Sequence, residues 1–239
     1  MTFFHAFRHI ALFLALMILS GCASVGHQDY NAAASQNMKE IGLISAGATN
    51  EHFVNIVNLP GNSFGLIGAL AAAADMSSKS DRFNKAVNPQ KSDLLATLEQ
   101  ELSCLDRSGR FRVQRLSPQG VNPNKLLEDY SKLPRNVEAY LDIRLRKAGY
   151  LAIYPDSPYV PSLMADAQLV DAKTQVVLYE THINYGEPWL QVENLIQLQG
   201  DHSHDYPNFD QLVNHPDAAR DGLRAGAQAI GQRICQDLL

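Results

Sequence analysis

The run from Asn136 to Gly186 constrains the fold more than any other part of the chain. In "NVEAYLDIRLRKAGYLAIY", Leu141, Ile143 and Leu145 alternate with Tyr140, Asp142, Arg144 and Arg146. A period of two sends successive side chains to opposite faces of a strand. The spacing therefore predicts a half-buried antiparallel strand whose polar side faces water. "PSLMADAQLVDAKTQVVLYETHINYG" carries two more strands, Met164–Val170 and Val176–Tyr185, joined into a hairpin by the turn "VDAKTQ". Asp166 and Asp171, on this hairpin, read as ordinary surface carboxylates. Long adjacent strands with one apolar side need helices to cover that side.

The helices are legible from a different period. Leu94, Leu98, Leu102 and Leu105 recur at four, four and three within "NPQKSDLLATLEQELSCLD", which makes one helical stripe with Ser92 as N-cap. Leu223, Ala227, Ile230 and Ile234 define a second stripe, in a helix from about Ala218 to the C-terminus. After Pro60, with Asn62 or Ser63 as N-cap, "FGLIGALAAAADMSS" reads as a third helix. Its charge-free half (residues 64–74) is expected to be buried, with a docking surface as the alternative. Shorter elements complete the chain. "KEIGLIS" and "EHFVNIVN" are two early strands, "GRFRVQRL" (109–116) is a strand, and "NPNKLLEDYSKL" (122–133) is a short helix.

The N-terminus addresses the chain. Arg8 precedes the ten-residue apolar run Ile10–Leu19, half of the roughly twenty residues that span a bilayer. Residues 1–21 therefore read as a cleaved signal peptide. Cys22 follows "LSG", and "ASVGHQDYNAAASQN" after it is small and polar, so residues 22–37 read as a lipidated N-terminus and flexible tether. Residues 38–239 are then one α+β domain.

Charge narrows the partners. The 239-residue chain has 20 Lys+Arg against 25 Asp+Glu. Removing residues 1–21 takes only Arg8 among the charged groups, so 19 face 25 and the mature formal charge is −6. No basic face offers itself to nucleic acid. Of the three cysteines, lipidation sets Cys22 aside. Cys104 and Cys235 are left as a candidate disulfide in an oxidising compartment. Each lies beside the stripe of its own helix, where packed neighbours come within bonding reach. Two buried free thiols are the alternative.

Candidate chemistry is sparse. "GDHSHDYPNFD" gathers Asp201, His202, His204 and Asp205, with His215 and Asp217 close behind, a local cluster of the side chains that ligate zinc. A metal- or ligand-binding loop is the second reading of the chain, although a cluster on one loop lacks the convergence of a dedicated site. The aromatic and proline residues of Tyr150–Ser162 and the single Trp189 read more readily as packing than as a binding rim. The chain contains no G-x-S-x-G, no H-E-x-x-H and no phosphate-binding glycine loop, so it offers no catalytic residues and calls for no cofactor or metal.

"LSGC" resembles the lipobox of bacterial lipoproteins, which implies acylation of Cys22. An alanine, not an aspartate, follows the cysteine, and in that family this implies an outer-membrane location facing the periplasm. Several features together are similar to periplasmic lipoproteins of the curli-secretion and TolB-amino-domain type. They are the tether, the early strand pair, a helix ending before "GRFRV", then "AYLDIRL" and "LVDAKTQVVLYE". The resemblance implies a non-enzymatic component of an envelope assembly or export system, held to the membrane through Cys22 and working with an envelope protein partner.

Overall fold

The computed structural model describes residues 25–47, 51–59, 65–190 and 192–239. The signal segment, Cys22 and the proposed N-caps Asn62 and Ser63 lie outside them. In chain order the elements are β1 (Glu40–Gly47), β2 (Phe53–Ile56), α1 (Gly65–Val87), α2 (Leu94–Leu102), α3 (Cys104–Arg107) and β3 (Arg112–Arg115). There follow β4 (Ala139–Ala152), β5 (Val160–Asp171), β6 (Val177–Tyr185), β7 (Leu195–Leu198), α4 (Phe209–Asn214) and α5 (Pro216–Leu238). This is an α+β fold built on a mixed seven-stranded sheet of order β3-β1-β4-β5-β6-β7, with β2 also on β4. β4, β5 and β6 form the antiparallel centre, while β1, β2, β3 and β7 join in parallel.

The early strands do not pair with each other. Both lie on the same side of β4, β1 along Ala139–Leu145 and β2 along Gly149–Ala152. Gly149 makes the second pairing feasible, because a Cβ there would fall 1.9 Å from the Phe53 carbonyl oxygen. Between the two segments β4 bulges, its register with β5 shifting between Leu145 and Lys147. One extra residue inverts the alternation. Leu141, Ile143 and Leu145 face the helices before the bulge, and Ala148, Tyr150 and Ala152 belong to the same core after it.

The two predicted stripes meet. Leu98, Leu102 and Leu105 are buried in one core with Leu223, Ala227, Ile230 and Ile234. At Gly231 α5 comes close to α2, where a Cβ would lie 3.0 Å from the Leu98 carbonyl oxygen and 2.7 Å from Glu101 Cβ. The stripe helix is interrupted at Ser103, and its N-cap is Asp93, with positive φ and no side-chain cap bond, in place of Ser92. Ser92 instead hydrogen-bonds the buried His52, Oγ to Nε2 at 2.9 Å. The Cys104–Cys235 disulfide ties the start of α3 to α5, with a Cα–Cα distance of 6.4 Å.

Other expectations need correction as well. Residues 122–133 form turns and bends, not a helix. Asn122 Oδ1 accepts the Asn124 N–H and Asp129 Oδ1 the Ser131 N–H, local turns that compete with helical bonding. Where it is described, the charge-free stretch of α1 is not buried: Leu70 is 63% exposed, and only Ala72 among residues 68–74 is buried. Nor does the polar side of β4 face water, since the irregular segment lies across it and buries Tyr140, Asp142 and Arg144 completely.

The segment expected to be a free tether is laid on the domain from Val25 onward. Gln28 and Glu180 exchange backbone hydrogen bonds (3.0 and 2.9 Å), and the Val25 N–H donates to Glu193 O (3.2 Å). Tyr30 sits under Arg110, whose guanidinium carbon is 5.2 Å from the ring centroid, a cation–π stack that closes this contact.

Candidate functional site

The sheet face opposite the helices concentrates the chain's buried charge. Alternation puts Asp142 and Arg144 of β4, Asp166 and Gln168 of β5, and Glu180, His182 and Asn184 of β6 on that face. Arg144 and Asp142 are both wholly buried and 2.5 Å apart. Asp142 Oδ2 also accepts from the Tyr130 hydroxyl (2.9 Å) and the Leu127 N–H (2.9 Å), and Arg144 Nε donates to Lys125 O (2.7 Å). Desolvation raises the Asp142 carboxyl above its ordinary pKa and lowers the Arg144 guanidinium below its own. Burial, reinforced by the neighbouring carboxylate, pushes the Tyr130 phenol upward. Each member of this network binds another member or the backbone of residues 122–133. Its work is to hold that segment on the sheet.

A second cluster lies one strand further. His182 Nδ1 is 2.7 Å from Asp166 Oδ1, and its Nε2 is 3.5 Å from Glu180 Oε1. The bond to Asp166 raises the imidazole pKa against the lowering effect of burial. Arg146, at the bulge, reaches the same Asp166 at 3.4 Å. Asp166 is thus a buried partner of both Arg146 and His182, not the surface carboxylate its place on a hairpin suggests. Asp171 does keep a local role, accepting the Lys173 and Thr174 N–H groups of the turn. The docked N-terminal segment covers one end of this cluster, because a Cβ on Gly26 would fall 2.6 Å from Glu180 Oε1.

Beside the bulge opens a cleft of about 520 Å³, between β2, α1 and β4. Phe53, Met76, Ala148, Leu151 and Trp189 supply its apolar wall, and Arg146 and Lys147 its cationic end. Arg146 and Lys147 also border an adjoining hollow of about 590 Å³ that adds Asn124, Lys125 and Asp166. The volume is in the range of small-molecule sites, which combine apolar walls with a few polar groups. The alternation in β4 could not reveal this cleft. The bulge that points Arg146 and Lys147 outward is set by pairing with β5, and the wall comes from segments distant in sequence.

The His202–Asp205 loop does not converge on one point. It forms a single 3₁₀ turn in which His202 Nδ1 bonds Asp205 Oδ2 (2.9 Å) and Asp201 accepts the Ser203 N–H (2.9 Å). His204 Nε2 stands 4.0 Å from Asp201 Oδ2, and His215 Nδ1 bonds Gln211 O. Among the described residues no three His, Cys, Asp or Glu side chains are placed to share a metal ion. The aromatic run is likewise no rim. Tyr150 and Tyr159 are buried, with the Tyr150 hydroxyl on Ala219 O (3.1 Å), while Tyr154, Pro155 and Pro158 are exposed.

Fold and site together define an α+β domain with one helical face and one polar face covered by an irregular segment. No protein-family model matches the chain, and no curated protein matches it in sequence. Solved structures to which it is similar include protein XCC0632 of Xanthomonas campestris, of the DUF330 family (12% identity, 84% of this chain and 85% of that one, TM-score 0.34). Lipoprotein GNA1162 of Neisseria meningitidis is another (14%, 61% and 81%, TM-score 0.27). A third is the putative neuraminyllactose-binding hemagglutinin homolog of Helicobacter pylori (15%, 90% and 90%, TM-score 0.36).

Proposed function

We propose that this chain is a lipoprotein anchored in the outer membrane through acylated Cys22, facing the periplasm. There it serves as a non-enzymatic component of an envelope assembly or export system, alongside a protein partner. The observation that carries the reading is the "LSGC" motif at the end of a ten-residue apolar run. The Cys104–Cys235 disulfide supports it, because such bonds persist in oxidising compartments. Docking of the chain from Val25 adds to it. Only Ala23 and Ser24 separate Cys22 from Val25, three residue steps with a reach of at most about 11 Å when fully extended. An anchor at Cys22 therefore holds the domain close to the bilayer with the β6–β7 edge nearest, since Val25 bonds to Glu193 and Asn194 there.

Metabolic labelling with an alkyne fatty acid tests the anchor. Label is expected on the wild-type chain and none on Cys22→Ala, which should leave the membrane fraction. Label persisting on the alanine variant overturns the lipoprotein reading. Crosslinking in intact envelopes followed by pull-down tests the partner, and a chain recovered alone refutes the assembly role.

A further inference from the structure

The cleft at the β4 bulge joins two kinds of surface that rarely meet without a ligand to match. Its wall is apolar, and α1 closes one side of it with Met76, Ser77 and Ser80. Leu70, Ala73, Ser77 and Ser80 are spaced by three, four and three, so they lie on one stripe of that helix. Ser77 and Ser80 line the cleft, while Leu70 and Ala73 lie exposed on the stripe leading into it. Two serines thus stand between the exposed Leu70 and Ala73 and the apolar wall of Phe53, Met76, Ala148 and Leu151.

The other end is cationic. Lys125, Arg146 and Lys147 border the cleft and the hollow beside it, against Glu51 and Asp166. Asp166 is already engaged by His182 and Arg146. Among the described residues neither Lys125 nor Lys147 has a carboxylate partner within ion-pair distance, in a chain whose formal charge is −5. Trp189 also lines the cleft, and its buried indole N–H has no acceptor among the described residues. An unpaired donor and unpaired cations beside an apolar wall fit one ligand chemistry.

We infer that this cleft binds an amphiphile with a single acyl chain and an anionic head. The chain lies against Met76, Ser77, Phe53 and Leu151, and the head meets Lys125, Arg146, Lys147 and the Trp189 N–H. A fatty acid and a lysophospholipid share this chemistry. The inference does not rest on acylation of Cys22.

Trp189 is the only tryptophan of the chain and reports on its own site. The mature chain carrying Cys22→Ser, so that no acyl group of its own competes, is titrated with 9,10-dibromostearate while indole fluorescence is followed. Saturable quenching is expected, reversed by unbrominated stearate or by lysophosphatidylglycerol. The lower of their displacing concentrations identifies the preferred head. Lys125→Glu combined with Lys147→Glu should weaken binding at least tenfold, and so should the separate variant Ser77→Glu on the α1 side of the cleft. All three positions are exposed, and unchanged near-UV dichroism verifies that the variants are folded. The dibrominated alcohol, with a neutral head, should bind at least tenfold more weakly than the acid. Quenching that never saturates, equal binding of the alcohol, displacement by inorganic phosphate alone, or folded variants that bind like the parent would each overturn the inference.

Discussion

Reducing the Cys104–Cys235 disulfide tests the helical half of the fold most directly. The bond joins residues 131 positions apart. In the chain-entropy account, a loop of that length withdraws about 5 kcal/mol of freedom from the unfolded state. The native state loses little in exchange. Leu98, Leu102, Ile230 and Ile234 are each at most 1% exposed, so α2 and α5 stay packed after the sulfurs separate. Nearly all of the effect should therefore appear as an entropy gain of the unfolded chain. For a chain of this size 5 kcal/mol corresponds to a drop in Tm of about 10–20 °C. Thermal unfolding of oxidised protein, reduced and alkylated protein, and the Cys104→Ser/Cys235→Ser variant checks it, with near-UV dichroism reporting packing at 20 °C. Two results refute the reasoning. A fully alkylated chain melting within about 2 °C of the oxidised one would leave the loop-closure term without effect. Loss of near-UV signal at 20 °C would mean that the bond, and not the paired stripes, holds α5 in place.

Other consequences follow from particular side chains. Breaking the buried pair with Asp142→Asn or Arg144→Met should cost about 3–5 kcal/mol in urea unfolding, because either leaves a charge or donor uncompensated. The double variant Asp142→Leu/Arg144→Met should cost much less than the sum of the two. Gly149→Ala should cost about 1–3 kcal/mol and free β2 from β4, seen as loss of amide-exchange protection at Phe53–Ile56, since the new methyl meets the Phe53 carbonyl. The pH profile should have two limbs. Burial lowers the His52 pKa to about 4, so the unfolded chain takes up the extra proton as pH falls from about 6.5, and up to about 3 kcal/mol is lost by pH 4. His182 is raised by Asp166, so its contribution is complete below about pH 6.5 and fades as pH rises through its folded value. Stability should peak near pH 6.5, and His182→Gln should remove the alkaline limb only. A His52 imidazole titrating near 6.5 by NMR would undo the acidic limb.

Local periodicity by itself determined a good deal of this molecule. The two-residue alternation of β4, the hairpin of β5 and β6 around the turn at Asp171, and the leucine stripe of α2 each depend on contacts a few residues apart. So does the stripe of α5. All are present in the fold, as is the pairing of Cys104 with Cys235. A strand's alternation, however, records only that its two faces differ, not what covers the second one. Tertiary structure decided that Asp142 and Arg144 are sealed under residues 122–133, where asparagine and aspartate turns replace the expected helix. It also decided that Asp166 is shared between Arg146 and His182. Only pairing with β5 sets the bulge near Arg146, which turns two cations toward a cleft walled by β2 and α1. The exposed start of α1 and the docking of Gly26–Gln28 along β6 have the same origin. An apolar or polar segment carries no local mark of whether a distant part of the chain will come to meet it, because burial depends on contacts that folding alone brings together.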